Sequence, residues 1–138
     1  MKQKTKKTEK SDRLFDYRTI KTFEDACKKL NLDTAKLPDV SIMPERFRKP
    51  IIAASKLMII YEAINNGWIP DWNNYDQYKY YPWFGVSSSG FGFSDTYYYC
   101  DFASTDVGSR LCTDTREKAL YIAEQFKTEY QEYFLYSE

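Results

Sequence analysis

Wound as a helix, the stretch from Pro50 to Asn65 is apolar nearly all the way round, and this limits the possible folds more than any other feature of the chain. Ile51, Ala54, Leu57, Met58, Tyr61 and Ile64 recur at helical spacing, and Ile52, Ile59 and Ile60 fill much of the other side. The pattern predicts a helix over about residues 50–65 with neighbours on more than one side. Pro50 belongs in its first turn, and Asn66-Gly67 supplies a left-handed stop. Lys56 and Glu62 interrupt the apolar run from Ile51 to Ile64. As a helix that run would span about 21 Å, against about 30 Å for a hydrocarbon core, so a core helix and no membrane contact are expected.

The rest of the chain is arranged around this helix. Residues 1–10 carry five lysines, one glutamate and no apolar residue beyond Met1, a composition expected to form a flexible basic tail ending near residue 13. Thr22, followed by Phe23, Glu24 and Asp25, starts a short helix to about Leu30. Pro38 and Pro44 bracket an extended connector, and Pro50 interrupts any turn opened at Pro44-Glu45. Helical periodicity disappears from Trp68 to Phe102, a window holding fourteen of the twenty-five aromatic residues. Tyr80–Val86, Phe91–Phe93, Tyr97–Phe102 and Ser109–Cys112 read as an antiparallel meander, with turns at Ser87–Gly90 and Ser94-Asp95 and with Pro82 restricting the first strand to an edge or a later start. Asp114 is placed to cap one long final helix with Ala119, Ile122, Ala123, Phe126, Tyr130, Tyr133 and Phe134 on its apolar face. The expected fold class is therefore α+β over residues 14–138: an antiparallel sheet of three to four strands packed with two longer helices and one short helix.

Chemistry is limited more by what is missing. The chain contains no histidine, which removes Ser-His-Asp and Cys-His catalysis, imidazole metal sites and the usual proton shuttle near neutral pH. Cys27, Cys100 and Cys112 are an odd number without CxxC spacing, so reduced thiols are expected rather than a disulfide framework or a zinc site. No cofactor is implied. Twenty basic and twenty acidic residues balance, which argues against a broad cationic nucleic-acid surface while leaving a local patch open. Gly85-Val86-Ser87-Ser88-Ser89 lacks the second glycine of a nucleophile elbow and any histidine to take the serine proton. Gly90-Phe91-Gly92 has no helix behind it to offer amides to a phosphate, and the aspartates between 71 and 106 match no cation loop. A non-enzymatic role is expected, with catalysis by carboxylates, tyrosines and lysines a distant alternative.

Tyr97, Tyr98 and Tyr99 are consecutive, so on a strand they must point to both faces, and at least one tyrosine faces away from a helix-covered side. Trp68, Trp72, Tyr75, Tyr78, Tyr80, Tyr81 and Trp83 add flat surfaces with polar tips, which suit stacking on bases or sugars and also suit protein interfaces; of these Trp83 joins the candidate binding set. Leu111 is expected to face the core and Arg110 the opposite face, which would set a guanidinium beside surplus tyrosines, with Ser88 and Ser89 as further donors. Arg110 with Tyr97, Tyr98, Tyr99, Trp83, Ser88 and Ser89 forms the candidate binding set. Two plainer readings stay open: the aromatics form a second small core under the Trp68–Asp76 loop, and Arg110 pairs with Asp95 or Asp101.

Thr22–Cys27, the run Gly67-Trp68-Ile69-Pro70-Asp71-Trp72-Asn73 continuing to Tyr78–Phe84, and Val107–Cys112 resemble an uncharacterised family of gut Bacteroides-type bacteria, their mobile elements and crAss-like phages. The similarity covers about residues 20–135. It implies a phage or mobile-element accessory protein in the host cytoplasm or the virion, and it carries no mechanism. The expected function is binding of single-stranded nucleic acid or a nucleotide-like ligand by the aromatic sheet surface around Arg110. The alternative is a protein-interaction or virion-associated module whose aromatics are covered by a partner or in a homo-oligomer.

Overall fold

In the computed structural model the backbone is described for residues 14–87, 90–99 and 110–135, and the side chains for 14–84 and 110–135. The basic tail therefore lies outside the described residues. Helix α1 (Phe23–Lys29) starts where its sequence dictates: Thr22 accepts from the Asp25 amide at 3.1 Å, and the Asp25 carboxylate accepts from the Thr22 amide at 3.2 Å. It ends in a Schellman turn. Asn31 takes φ 57°, the Leu32 amide donates to the Cys27 carbonyl at 2.8 Å, and the Asn31 amide donates to Lys28 at 3.3 Å.

Helix α2 (Glu45–Asn65) is longer than its apolar pattern indicated, running through Pro50 rather than starting there. The proline removes one amide near the helix start. The opening turn is held from outside the ladder, because Arg48 donates to the carbonyls of Met43 at 2.8 Å and Ser41 at 3.2 Å. At the other end the stop is as the residues demand, with Asn66 left-handed at φ 47° and Gly67 at φ 90°. The buried stripe runs Ala53, Leu57, Ile60, Tyr61 and Ile64, whereas Met58, expected on the same face as Leu57, is 46% exposed.

The expected single final helix is two. Helix α3 (Arg116–Gln125) is capped by Thr115 rather than Asp114; the Thr115 hydroxyl accepts from the Lys118 amide at 3.2 Å, and Asp114 instead takes the Lys118 ammonium at 2.9 Å. Helix α4 (Lys127–Phe134) follows a break at Phe126, φ −114°. Ile122, Phe126 and Tyr130 stay buried across the break, although a strict i, i+4 stripe drifts by about 40° per step on a straight helix. Helix α4 packs on α2, where Tyr61 and Tyr130 share a buried hydroxyl–hydroxyl hydrogen bond. The segment leading into α1 is clamped to α3: the Tyr121 hydroxyl donates to the Ile20 carbonyl at 2.8 Å, and the Gln125 amide donates to Lys21 at 2.8 Å.

The α+β expectation with a sheet of three to four strands is overturned. The molecule is mainly helical, and its only extended pairing among the described residues is an antiparallel hairpin of β1 (Lys79–Ser87) and β2 (Gly90–Tyr99) plus one isolated bridge. Ser94-Asp95, expected as a turn, lies inside β2, with Trp83 opposite Asp95 and a register shift between Trp83 and Phe84. The strand expected over Ser109–Cys112 is absent from its described part: residues 110–112 turn and bend, and only Thr113 pairs. Tyr80 and Thr113 exchange both amide–carbonyl bonds at 2.9 Å on the edge of β1 away from β2. By strand alternation the nitrogen of Pro82 faces this same outer edge, so the proline costs the hairpin no ladder bond. Phe84 ties the hairpin to the helices, its ring centroid 4.6 Å from that of Tyr130. No described helix is long and apolar enough to cross a membrane.

Candidate functional site

The left-handed stop at Asn66-Gly67 throws the chain off the end of α2 and brings Trp68 to Trp72 back over the last turn of that helix. An open cavity of about 450 Å³ results, lined by Met58, Tyr61, Glu62 and Asn65 of α2, by Trp68, Ile69, Pro70 and Trp72, and by Arg110 and Cys112. Its loop wall is built from side-chain caps of backbone amides. Asp71 accepts from the Asn73 amide at 3.0 Å, Asn74 accepts from the Asp76 amide at 3.0 Å, and Gln77 accepts from the Asp71 amide at 2.6 Å. Lys79 fastens this loop from behind: it is fully buried, donates to the Asn74 carbonyl at 3.0 Å, and holds its ammonium 5.1 Å from the Trp72 ring centre.

The opposite wall is fixed by Asn65, whose side-chain amide donates to the Cys112 carbonyl at 2.9 Å. Because a carbonyl only accepts, this bond settles which end of the Asn65 side chain is nitrogen and which is oxygen. The other end, Oδ1, is buried and accepts from no described residue. Burial pushes the Cys112 thiol up to about 12, with Lys79 pulling the other way, so at neutral pH this cavity wall carries a neutral thiol and no thiolate nucleophile. Cys27 is likewise raised by burial and, secondarily, by the charges of Glu24 and Asp33. Among the described residues no group of three or more histidine, cysteine, aspartate or glutamate side chains is placed to hold a metal ion.

Arg110 is the residue from the expected binding set that reaches this cavity. It sits exposed in a turn rather than on a strand, and it makes no ion pair with any described residue. The expected union of Arg110 with Tyr97, Tyr98 and Tyr99 on one sheet face is corrected, since Arg110 is on no strand and the bridge at Thr113 lies across β1 from β2. Tyr97 and Tyr99 are opposite Tyr81 and Lys79 in the hairpin register, and Tyr98 is opposite Tyr80; their side chains lie outside the described residues, as do Ser88 and Ser89. Trp83 is 38% exposed on β1 and is not among the cavity-lining residues. The plainer reading of a second small core under the Trp68–Asp76 loop is not what the described part of the window shows: Tyr81 is buried, Phe84 packs on Tyr130 of the helical core, and Tyr75 and Tyr78 are exposed.

Of the lining residues only Arg110 belongs to the expected binding set; Trp68 and Trp72 stand among the flat surfaces of the aromatic window, and nothing in the sequence singles out Glu62 or Asn65 for binding. The signal for the two tryptophans is their place directly after the Asn66-Gly67 stop, where a reversing chain must cover the helix end. No family model, curated protein or solved structure matches the chain.

Proposed function

We propose that the protein binds a nucleotide-like ligand, free or as the end of a single strand, in the cavity between the end of α2 and the Trp68–Trp72 loop. The observation that carries this reading is the convergence of two indole rings and an arginine without an ionic partner among the described residues on one cavity. Indoles suit stacking on a base, and a guanidinium fork suits a phosphate. The volume, about 450 Å³, falls in the roughly 300–1,000 Å³ range of small-ligand sites and has room for one nucleotide rather than a long strand. A role as a phage or mobile-element accessory protein in the host cytoplasm fits this reading, resting on the sequence resemblance alone.

Titration of mononucleotides against tryptophan fluorescence tests it. Arg110→Ala should weaken binding by about 10- to 100-fold, the effect of removing a charge-assisted hydrogen bond, with an unchanged melting temperature. Arg110→Lys should recover part of the loss, because an ammonium lacks the planar fork. Wild-type affinity in Arg110→Ala, or no nucleotide binding at all, would overturn the proposal. The exposure of Tyr75, Tyr78 and Trp83 favours a second reading, a protein or self-association surface. Light scattering after size exclusion distinguishes it: a stable oligomer that Trp83→Ala dissociates supports the interface.

A further inference from the structure

Two charged side chains line the cavity, Glu62 from α2 and Arg110 from the turn before Thr113. Both are exposed, so a ligand in the open cavity can reach them, and neither makes an ion pair with the other or with any other described residue. Local helix stability does not account for the acid. Glu62 stands in the last turn of α2, where the backbone dipole already adds partial negative charge and a cation is the favoured side chain. The two charges also enter at different levels of the helix. The Asn65–Cys112 bond pins the chain beside Arg110 to the last residue of α2, and the Trp68 amide, donating to the Asn65 carbonyl at 3.0 Å, pins the loop at the same level. At 1.5 Å per residue, Glu62 lies about 4.5 Å back along the helix axis, and Met58, a lining residue 46% exposed, about 10 Å back. From the helix end inward the wall therefore offers a turn bearing a guanidinium, then a carboxylate, then a thioether.

We infer that the Glu62 carboxylate receives the 2′- and 3′-hydroxyls of a ribose, so that the cavity takes a ribonucleotide in preference to a deoxyribonucleotide. The inference rests on the cavity being a nucleotide site and adds the choice of sugar. With the phosphate at Arg110, the sugar of a nucleotide comes next and the base beyond it, which is the order of guanidinium, carboxylate and apolar surface along the wall. A carboxylate has two acceptor oxygens and a vicinal diol has two donors, so the pair is matched, and hydrogen bonds to an ionised acceptor are the stronger kind. Deoxyribose leaves one of those oxygens without its donor while the carboxylate still stands near a phosphate of like charge. The 2′-hydroxyl is also the group by which a protein tells RNA from DNA. The diol is intact in a free ribonucleotide and at the 3′ end of an RNA strand and is lost inside a strand, so those two ligands share the chemistry.

Calorimetry on the full chain tests this with changes of ligand that leave the fold untouched. The four ribonucleoside 5′-monophosphates and their 2′-deoxy counterparts are titrated, together with a riboadenosine trinucleotide ending either in a free diol or in a 3′-phosphate. A ribonucleotide should bind about tenfold more tightly than its deoxy form. Glu62→Gln should weaken the ribonucleotide by about 5- to 10-fold and bring the ribo-to-deoxy ratio toward one. If Glu62 instead acts only by repelling phosphate, Glu62→Gln tightens both forms alike, and the inference is overturned. A ribose preference among the mononucleotides assigns the site to a free nucleotide, and one seen only in the trinucleotide with a free diol assigns it to a strand end; both support the role of Glu62. Tighter binding of the trinucleotide blocked by a 3′-phosphate would overturn it. Equal affinity for the ribo and deoxy forms, with both lost in Arg110→Ala, would overturn the sugar reading and leave the nucleotide site standing. Failure of every nucleotide to bind would overturn both.

Discussion

In the helices, Leu57, Ile60, Ile64, Ile122 and Phe126 are buried, and the described ion pairs lie toward solvent or at the helix start. Between Gly67 and Tyr78 the pattern inverts, with Ile69 74% exposed and Tyr75 and Tyr78 exposed with it, and the segment is closed by the fully buried Lys79 before Tyr81 and Pro82 return to the interior. Apolar burial accounts for the first region. The second is held by caps on its own backbone, by the Lys79 ammonium on the Asn74 carbonyl and by ring contacts, and it leaves apolar surface uncovered beside Arg110. A segment that spends polar groups on holding its shape while exposing flat apolar ones has a surface suited to binding.

Substitution measures the contrast directly. The largest effect should come from the helical core: Leu57→Ala or Phe126→Ala should cost about 2–5 kcal/mol in denaturant unfolding, through lost burial and the cavity left behind. A cost below about 0.5 kcal/mol would mean that the helices are not the source of stability. Next, Lys79→Met keeps an unbranched stem but removes the ammonium, and should cost about 1–3 kcal/mol. Because the loop wall hangs on Lys79, this variant should also shift tryptophan emission to longer wavelength and open residues 68–77 to proteolysis, whereas the core variants should affect the whole molecule together. Unchanged emission would show that Trp72 is held by its other contacts.

The thiol in the cavity wall gives a pH test. The Cys112 pKa is raised from 9.0 to about 12 in the folded state, so its contribution is fully present below pH 9 and is lost as the pH rises toward 12. The loss attributable to Cys112 should be roughly 1 kcal/mol at pH 10, and Cys112→Ala should flatten that part of the alkaline decline. An identical alkaline slope in the variant would place the titration elsewhere, for example at Tyr121, which burial and, secondarily, Asp16 and Asp25 also raise. The smallest effect belongs to Met58, next to Leu57 in sequence but on the cavity side: Met58→Ala should change stability by no more than about 0.5 kcal/mol. A larger loss would erase the distinction between the two faces of α2.

Local rules were legible in the residues. Thr22 with Asp25, Asn66-Gly67 and the apolar spacing of α2 and α3 each depend on neighbours within about one or two turns, and each marks a helix or a helix end that is observed, although α2 starts earlier than expected and the expected single final helix breaks at Phe126. Pro50 misled because its missing amide is a local fact, whereas the turn before it is held by Arg48 reaching back to Ser41 and Met43. The sheet misled for a related reason. Aromatic, alternating segments favour extended backbone, but strand pairing is decided by partners far along the chain; the described part of the expected Ser109–Cys112 strand is not extended, and beyond the hairpin the described residues add only the bridge of Thr113, one residue later, to Tyr80.

The candidate site divides the same way. The sequence by itself singled out Arg110 by alternation, with Leu111 expected to face the core and Arg110 the opposite side beside aromatic segments, and left an ion pair with Asp95 or Asp101 as the plainer use. It also determined that α2 must stop at Asn66. Which aromatics Arg110 meets was decided only in three dimensions, because cavity walls come from segments about forty residues apart whose approach depends on how the loop after α2 folds back. The burial of Lys79 and the commitment of the Asn65 nitrogen to the Cys112 carbonyl are tertiary facts as well. Both are long-range pairings of polar groups, and nothing in the spacing of residues along a chain specifies a hydrogen bond to a distant backbone carbonyl.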